Sequence, residues 1–320
     1  MSELGDSMIG LDEVREAALR IAPFVHRTPL MSSSAIDAEA GCRLLFKCEN
    51  LQATGSFKAR GAHNAVLKLT QVERERGVAT HSSGNHAAAL SLAAGRLGIP
   101  AYVVMPENAP DTKIAAVRAY GGDITFCAAN QRAREETLQA VCAREGAIFI
   151  PPFASLDVIA GQGTCALELV SQLPTAPDIL MTPVGGGGLL AGTALVSRDL
   201  WPETRVVGAE PSGADDAQRS FNSGERKLQT APDTIADGLR SSLGEVNFKI
   251  IRAGVNDILT ASDENIIRAM RLVLTRMKLL IEPSAAVPLA VVLEHPEFFS
   301  SSTVALVISG GNVDIDQLPW

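Results

Sequence analysis

Four consecutive glycines, Gly185, Gly186, Gly187 and Gly188, constrain the fold of this chain more than any other feature. They separate a strand-like apolar segment, Asp178–Val184, from a helix-like segment, Leu189–Leu195. Because glycine has no Cβ atom, several backbone N–H groups can turn toward one small anion, and the following helix adds its free N–H groups and the positive end of its dipole. The loop predicts a phosphate site, against the alternative of a plain flexible turn. Its spacing matches neither the dinucleotide pattern G-x-G-x-x-G nor a P-loop.

Strand-like and helix-like segments alternate along most of the chain, which predicts an α/β fold with parallel sheets covered by helices on both faces. The predicted strands are Val78–Thr80, Ala101–Met105, Asp123–Cys127, Ala147–Ile150, Asp178–Val184, Arg205–Glu210 and Thr303–Ser309. The predicted helices are Ala87–Leu97, Asp111–Tyr120, Arg132–Glu145, Ala160–Leu173, Leu189–Asp199 and Ser262–Leu279. The polar segment Ser212–Thr234 is expected to be a mobile surface excursion. Ligands of such sheets gather at the carboxyl ends of strands, so the residues that follow the strands are candidates for function.

Composition excludes several classes of protein. A net charge of −8 without a Lys/Arg stripe argues against a nucleic-acid partner. No apolar run approaches the roughly 20 residues that cross a bilayer, so no membrane association is expected. The N-terminal sequence MSELGDSMIG does not resemble a secretory signal. The five cysteines are odd in number and lack C-x-x-C spacing, which indicates reduced thiols and a cytoplasmic location.

Two further segments carry candidate chemistry. Lys58 stands in SFKARGA among apolar and small residues near a helix start, which favours partial burial. Burial lowers the pKa of a lysine and makes its amine nucleophilic, whereas the alternative is a solvated surface charge. The sequence SSGNH, residues 82–86, opens a helix with more polar groups than N-capping needs. A phosphate loop, an amine able to form an imine and a helix start suited to a carboxylate together suggest pyridoxal phosphate.

At this point the chain resembles a known family. The motifs SFKARGA, HSSGNHAAAL, VGGGGLLAG, GAEPSGADD, IADGLR, IEPSAAV and ISGGNVD occur in the order found in fold type II pyridoxal-phosphate enzymes. From about His26 to Trp320 the chain is similar to the group of serine racemase and the dehydratases of serine, threonine and 3-hydroxyaspartate. The resemblance implies a homodimer with the tryptophan synthase β-like fold. It also implies a large cofactor-binding domain of residues 1–75 and 155–320 and a small substrate-closing domain of residues 76–154.

The resemblance also implies roles for individual residues. Lys58 would hold the cofactor and remove the substrate α-proton, while Ser83 would stand on the opposite face of the substrate. The other implied cofactor contacts are Phe57 beside the ring, Asn85 at the 3′-oxygen, Gly185, Gly186, Gly187, Gly188 and Leu189 at the phosphate, and Ser309 at the pyridine nitrogen. The implied substrate contacts are Ser82, Ser83, His86, Arg134 and Ser241. Arg134 would reach a second carboxylate, or else it is an exposed arginine on a charged helix.

The expected reaction is β-elimination from a β-hydroxy-L-amino acid, which yields a 2-oxo acid and ammonia. A hydroxyl such as that of Ser309 cannot keep the pyridine nitrogen protonated as an aspartate would, so loss of the β-hydroxyl is favoured over transamination. The substrate is serine, threonine or 3-hydroxyaspartate. One alternative is a serine racemase that uses Lys58 and Ser83 on opposite faces. A second alternative is β-replacement, as in cysteine synthases, and a third is a binding role without catalysis.

The segment EPSGADD resembles the divalent-cation loop of the family. Glu210 and Asp216 would bind through carboxylates and Ala214 through its carbonyl, a set that suits Mg²⁺, Ca²⁺ or Mn²⁺. The alternative is an acidic surface turn. ATP activation is not expected, because Ala53 and Arg15 stand where the animal racemases carry a lysine and a glutamate. Phe153 replaces a polar substrate contact of those racemases, as in the dehydratases.

Overall fold

The computed structural model describes residues 9–320. Its strands are β1 (Leu30–Met31), β2 (Arg43–Cys48), β3 (Val78–His81), β4 (Ala101–Pro106), β5 (Gly122–Cys127), β6 (Ile148–Phe149), β7 (Ile179–Pro183), β8 (Arg205–Pro211), β9 (Asp257–Ala261) and β10 (Thr303–Ile308). Its helices are α1 (Leu11–Ile21), α2 (Ser34–Ala40), α3 (Lys58–Leu67), α4 (Gln71–Arg76), α5 (Asn85–Gly95), α6 (Asp111–Ala119), α7 (Gln131–Glu145), α8 (Leu156–Val170), α9 (Gly188–Leu200), α10 (Asp216–Ser223), α11 (Glu245–Gly254), α12 (Asp263–Leu272), α13 (Pro283–Glu294) and α14 (Pro296–Phe299). The expectation for the N-terminal sequence concerns mainly residues 1–8, which lie outside the described residues.

The strands form two sheets. The larger has the order β1-β2-β10-β7-β8-β9, and the smaller has the order β5-β4-β3-β6. Every pairing is parallel except that of β1 with β2, where Leu30 lies opposite Lys47 in antiparallel register. The predicted α/β fold with parallel-rich sheets is therefore confirmed, with one short antiparallel edge strand added. Within residues 9–320 no helix is long and apolar enough to cross a membrane.

The larger sheet is buried on both faces, as a parallel sheet should be. Ile179 and Met181 of β7 pack in the same apolar cluster as α12 and α13. Leu180, between them, points the other way and packs with residues of α1, α8 and α9. Side chains of a strand alternate between faces, so consecutive apolar residues fill two cores at once. The two apolar cores, one on each face of the sheet, hold the carboxyl ends of β7 and β10 in fixed positions.

The helix expected near Ser262–Leu279 is present: α12 covers Asp263–Leu272 and continues into a π-type turn over Val273–Met277, which ends at Lys278 with a left-handed φ of 61°. One prediction of local structure is wrong. The segment Ser212–Thr234 is not a simple surface excursion, because it contains α10 and buries Asp216, Ala217 and Ser220. Tertiary packing overrides the polar composition of this segment.

A buried network of four charged side chains joins β2, α3 and α8. Arg60 donates to both carboxylate oxygens of Glu49 at 2.7 Å and contacts Glu168 at 3.2 Å. Lys47 donates to the other oxygen of Glu168 at 2.5 Å. Lys47, Glu49 and Arg60 are at most 1% exposed. Two cations balance two anions, which removes the cost of an unpaired buried charge. The network fixes α3 against its neighbours.

Candidate active site

The four glycines follow β7 and open α9. Gly187 has a φ of +87°, and a Cβ atom at Gly186 would lie 2.1 Å from the Phe153 ring. A Cβ atom at Gly185 would lie 3.0 Å from the Leu239 backbone. Within residues 9–320 the amides of Gly185, Gly186 and Gly187 donate no backbone hydrogen bond. The loop therefore excludes side chains and keeps N–H groups available for an anion.

Lys58 is the first residue of α3 and is half-buried. Its Nζ donates to the Pro152 carbonyl at 2.8 Å and lies 5.0 Å from the centroid of the Phe57 ring. Burial lowers the pKa of the Lys58 amine to about 8, although the negative charge of Glu282 opposes this change. The predicted partial burial is confirmed. The amine lies near the glycine loop, because Pro152 precedes Phe153, whose ring packs on Gly186.

The start of α3 is joined to the end of β10. The amide of Phe57 donates to the Ser309 carbonyl at 3.0 Å, and Ser56 forms an isolated β-bridge with Gly310. The Phe57 side chain packs with Leu189, the residue after the glycine loop. Ser309 is only 3% exposed. Thus four of the predicted cofactor contacts, Phe57, Lys58, Leu189 and Ser309, occupy one region of the structure.

The segment Ser82–His86 follows β3 and opens α5. His86 is buried, and its Nε2 faces the Ile150 carbonyl at 3.0 Å. Since a carbonyl only accepts, Nε2 carries the proton and Nδ1 is an acceptor, which is buried without a partner among residues 9–320. Burial and the charge of Lys58 lower the pKa of His86 to about 3, so the ring is neutral. Ser82 and Ser83 are half-buried beside it, and the Ser82 hydroxyl accepts from the Gly84 amide at 3.3 Å.

Glu282 is a site residue that the sequence reasoning missed. Asn85 donates through Nδ2 to its two carboxylate oxygens at 2.8 and 3.0 Å. Burial raises the pKa of Glu282 to about 7. The only signal in the sequence was the motif IEPSAAV, in which this glutamate precedes a proline that starts α13. Its tertiary partner lies 197 residues away in the chain.

The two remaining predicted substrate contacts differ in position. Ser241 lies beside the glycine loop, with its Oγ 3.4 Å from a Cβ atom built at Gly185. Arg134 is half-buried on α7, and its Nε is buried without a hydrogen-bond partner in the described part of the chain. Its charge acts on His81 at the end of β3 and helps burial lower the pKa of that side chain. A buried N–H group without a partner among the described residues is able to donate to a ligand.

Two predicted metal ligands, Glu210 at the end of β8 and Asp216 at the start of α10, are buried in the interior. Both carboxylate oxygens of Glu210 accept from backbone amides, those of Ala217 and Gln218, at 2.9 Å. Asp216 accepts from the Leu243 amide through Oδ2, while its Oδ1 is buried without a partner within the described range. Burial raises the pKa of Glu210 to about 9 and that of Asp216 to about 6. Residues 9–320 contain no cluster of three or more His, Cys, Asp or Glu side chains placed to hold a metal.

Leu243 links the acidic segment 210–216 to the glycine loop. Leu243, whose amide donates to Asp216, directs its side chain to within 2.5 Å of a Cβ atom built at Gly187. Ala214, the third predicted ligand, is fully buried in the short turn that separates Glu210 from Asp216 in the sequence. A change at Asp216 can therefore reach the glycine loop through a single residue.

Comparison with known proteins identifies the family. Residues 21–310 match the family model for pyridoxal-phosphate dependent enzymes. The chain is 48% identical to the beta-hydroxyaspartate dehydratase of Paracoccus denitrificans, with 97% of this chain and 98% of that protein covered. It is 45% identical to the serine racemase of Dictyostelium discoideum, with 97% of each chain covered. The solved structure of maize serine racemase superposes with a TM-score of 0.94 at 44% identity, with 96% and 94% covered. The predicted fold type II class is confirmed, and the chain belongs to the family of pyridoxal-phosphate-dependent enzymes.

Proposed function

We propose that this enzyme is an ammonia-lyase that eliminates the hydroxyl group of β-hydroxy-L-amino acids, with 3-hydroxyaspartate as its preferred substrate. The observation that carries the proposal is the half-buried Lys58 amine, whose pKa is lowered to about 8 beside a side-chain-free glycine loop. A lysine with a lowered pKa serves both as a nucleophile and as a base near neutral pH. The similarity to a beta-hydroxyaspartate dehydratase supports the choice of substrate.

The residues present fit pyridoxal phosphate. The glycine loop offers three amides that make no backbone hydrogen bond within residues 9–320, together with the start of α9, for the phosphate. Lys58 would attach the aldehyde, Asn85 would donate to the ring hydroxyl oxygen, and Ser309 would face the ring nitrogen. When bound, the cofactor supplies an electron sink that acidifies the α-proton of an attached amino acid.

The chain's own groups would then move the protons. Lys58 would take the α-proton on one face of the substrate, and Ser83 would stand on the other. His86, held neutral, would accept a hydrogen bond at Nδ1 from a hydroxyl group of the pocket, while Ser82 and Ser241 would donate to the substrate carboxylate. Ser309 is a neutral hydroxyl and adds no positive charge at the ring nitrogen, which favours departure of the β-hydroxyl.

Arg134 supports a substrate with a second carboxylate. Its buried Nε, which has no partner among residues 9–320, can donate to that group, and a carboxylate there would pair with its charge. Serine and threonine lack this carboxylate and would leave the guanidinium unpaired. This arrangement supports the choice of 3-hydroxyaspartate over the two smaller substrates.

Arg134→Gln tests the proposal, and Arg132→Gln on the same helix is the matched control. Arg132 is 86% exposed and pairs with Glu136. We expect Arg134→Gln to lower kcat/KM for 3-hydroxyaspartate by about 10- to 100-fold, the range for a hydrogen bond to a charged group, and to change that for serine less than about threefold. The control should leave both values unchanged. Equal losses of kcat/KM for the two substrates would show that Arg134 has a structural role and does not bind the second carboxylate.

Serine racemisation is the second candidate function. Ser83 offers a hydroxyl where the elimination reaction needs none, and several relatives are serine racemases. The Ser83 hydroxyl would return a proton to the face opposite Lys58, which inverts the α-carbon. D-serine that accumulates faster than pyruvate would favour this function.

The cation site is part of the proposal. A cation, Mg²⁺ or in its place Ca²⁺ or Mn²⁺, would be held by Glu210, Asp216 and the Ala214 carbonyl. The Oδ1 of Asp216, which is buried without a partner among residues 9–320, supports this site. A cation would offset the charges of two buried carboxylates. Because Leu243 joins Asp216 to Gly187, the cation would support the phosphate loop and take no part in the reaction.

We extend the proposal to the organisation of the protein. Residues 1–75 and 155–320 would form the large cofactor domain, and residues 76–154 would form the small domain that closes over substrate. The two sheets support this division, since the smaller sheet spans residues 78–149. A cytoplasmic location agrees with the five cysteines, all of which are free and lie within residues 9–320. The assembly would be a homodimer.

A further inference from the structure

Glu282 lies against the backbone at the end of β10. It is 5% exposed and immediately precedes α13. Its amide donates to the Gly310 carbonyl at 3.1 Å, and a Cβ atom at Gly310 would lie 2.6 Å from its Oε1. Only a glycine at position 310 lets the carboxylate lie so close to the backbone. The carboxylate is thus held one residue from Ser309.

A chain of amides fixes the orientation of Asn85. Asn312 donates through Nδ2 to the Thr54 carbonyl at 2.7 Å and to Oδ1 of Asn85 at 2.8 Å. Because the Thr54 carbonyl can only accept, the nitrogen of Asn312 must face it. Asn85 therefore accepts through its oxygen and presents only its nitrogen to Glu282. An N–H donor is what an oxyanion on a bound cofactor requires.

Charged groups act on this carboxylate and on the nearby amine. Burial and the charge of Asp237 raise the pKa of Glu282 to about 7, while Asn85 and the charge of Lys113 oppose the rise. Lys113 of α6 itself contacts Asp237. Glu282 in turn stabilises the charged form of Lys58, whose pKa is about 8, and Lys58 acts on His86. The carboxylate and the amine titrate in neighbouring ranges and are coupled.

We propose that Glu282 is a positioning residue of the cofactor site: together with Asn312 it holds Asn85 as a hydrogen-bond donor toward the ring hydroxyl, and its charge acts on the electronic state of the bound cofactor. The inference rests on the proposed placement of the cofactor. Above neutrality Glu282 is ionised and its bond from Asn85 is charge-assisted. On acidification the carboxylate takes up a proton, that bond weakens, and the negative charge beside Lys58 disappears.

Absorbance of the holoenzyme tests the proposal without relying on turnover. The visible band of the bound cofactor is titrated from pH 5.5 to 9 in wild type, Glu282→Gln and Glu282→Ala. Glu245→Gln serves as the control, since Glu245 is 74% exposed at the start of α11. Glutamine keeps an acceptor for Asn85 but cannot ionise. We expect a spectral transition within about one pH unit of 7 in wild type and the control, and its loss in Glu282→Gln.

The alanine variant tests the positioning role. Its loss of the bond to Asn85 should raise the cofactor Kd at least about tenfold, and Glu282→Gln should recover most of that loss. An unchanged spectral midpoint in Glu282→Gln overturns the proposal, as does an unchanged Kd in Glu282→Ala. Both results leave the proposed function intact if wild type binds the cofactor and releases 2-oxo acid. Failure of wild type to take up pyridoxal phosphate would overturn the function and this inference together.

Discussion

The Lys58 amine should react as a neutral nucleophile at pH values where an ordinary lysine is charged. Burial lowers its pKa from 10.5 to about 8. At pH 7 an amine with a pKa of 8 is about one-tenth neutral, whereas at 10.5 the neutral fraction is about 3 in 10,000, a ratio of roughly 300. The neutral form increases as pH rises through 8. Reactivity of the cofactor-free enzyme should therefore rise between pH 7 and 9 and then level off.

Labelling the cofactor-free enzyme with pyridoxal, followed by borohydride reduction and peptide mass spectrometry, measures this reactivity residue by residue. The exposed Lys249 provides an internal reference, and Lys58→Ala confirms the assignment. At pH 7 we expect Lys58 to be labelled about 100-fold or more faster than Lys249. A midpoint near 10 for Lys58, or equal rates for the two lysines, would refute the argument that burial activates this amine.

Three further results are expected. Gly186→Ala should raise the cofactor Kd about tenfold or more in a fluorescence titration, because the new Cβ atom would lie only 2.1 Å from the Phe153 ring. Gly10→Ala is the control and should leave the Kd unchanged, because the nearest atom to its new Cβ would be 3.7 Å away. Ser83→Ala should abolish racemisation but keep elimination from the L-substrate, as measured by chiral chromatography; a parallel loss of both activities would contradict an opposite-face role. Removal of Mg²⁺ by a chelator should lower the Tm of wild type by roughly 5 °C and that of Asp216→Asn much less, and equal shifts would place the cation elsewhere.

The regular elements were readable from the sequence because their signals are local. Gly121 and Gly146 stop helices α6 and α7 within a residue or two of the predicted ends, and strand β8 extends one residue past its predicted end. Local signals failed where the cause is tertiary. Strand β1 is two residues long and exists only through its pairing with β2.

The same limit applies to the active site. The partial burial of Lys58 followed from its small and apolar neighbours in the sequence. Glu282 could not be found in this way, because a glutamate before a proline is usual at an exposed helix start. Its role depends on Asn85 and Gly310, which come close only in the folded chain. Contacts between residues that are far apart in the sequence are the part of a site that local sequence patterns cannot predict.

The network of Lys47, Glu49, Arg60 and Glu168 has a consequence for how this enzyme can change over generations. Arg60 lies two residues beyond Lys58 on the same helix, so the reactive amine is anchored by ionic contacts that touch no ligand. Loss of any one member strands an opposite charge in the interior, whereas paired replacement by apolar side chains keeps neutrality. Substitutions at these four positions should therefore occur in combination among related sequences. A mutant library that changes one position at a time would underestimate the number of side-chain combinations that the fold tolerates there.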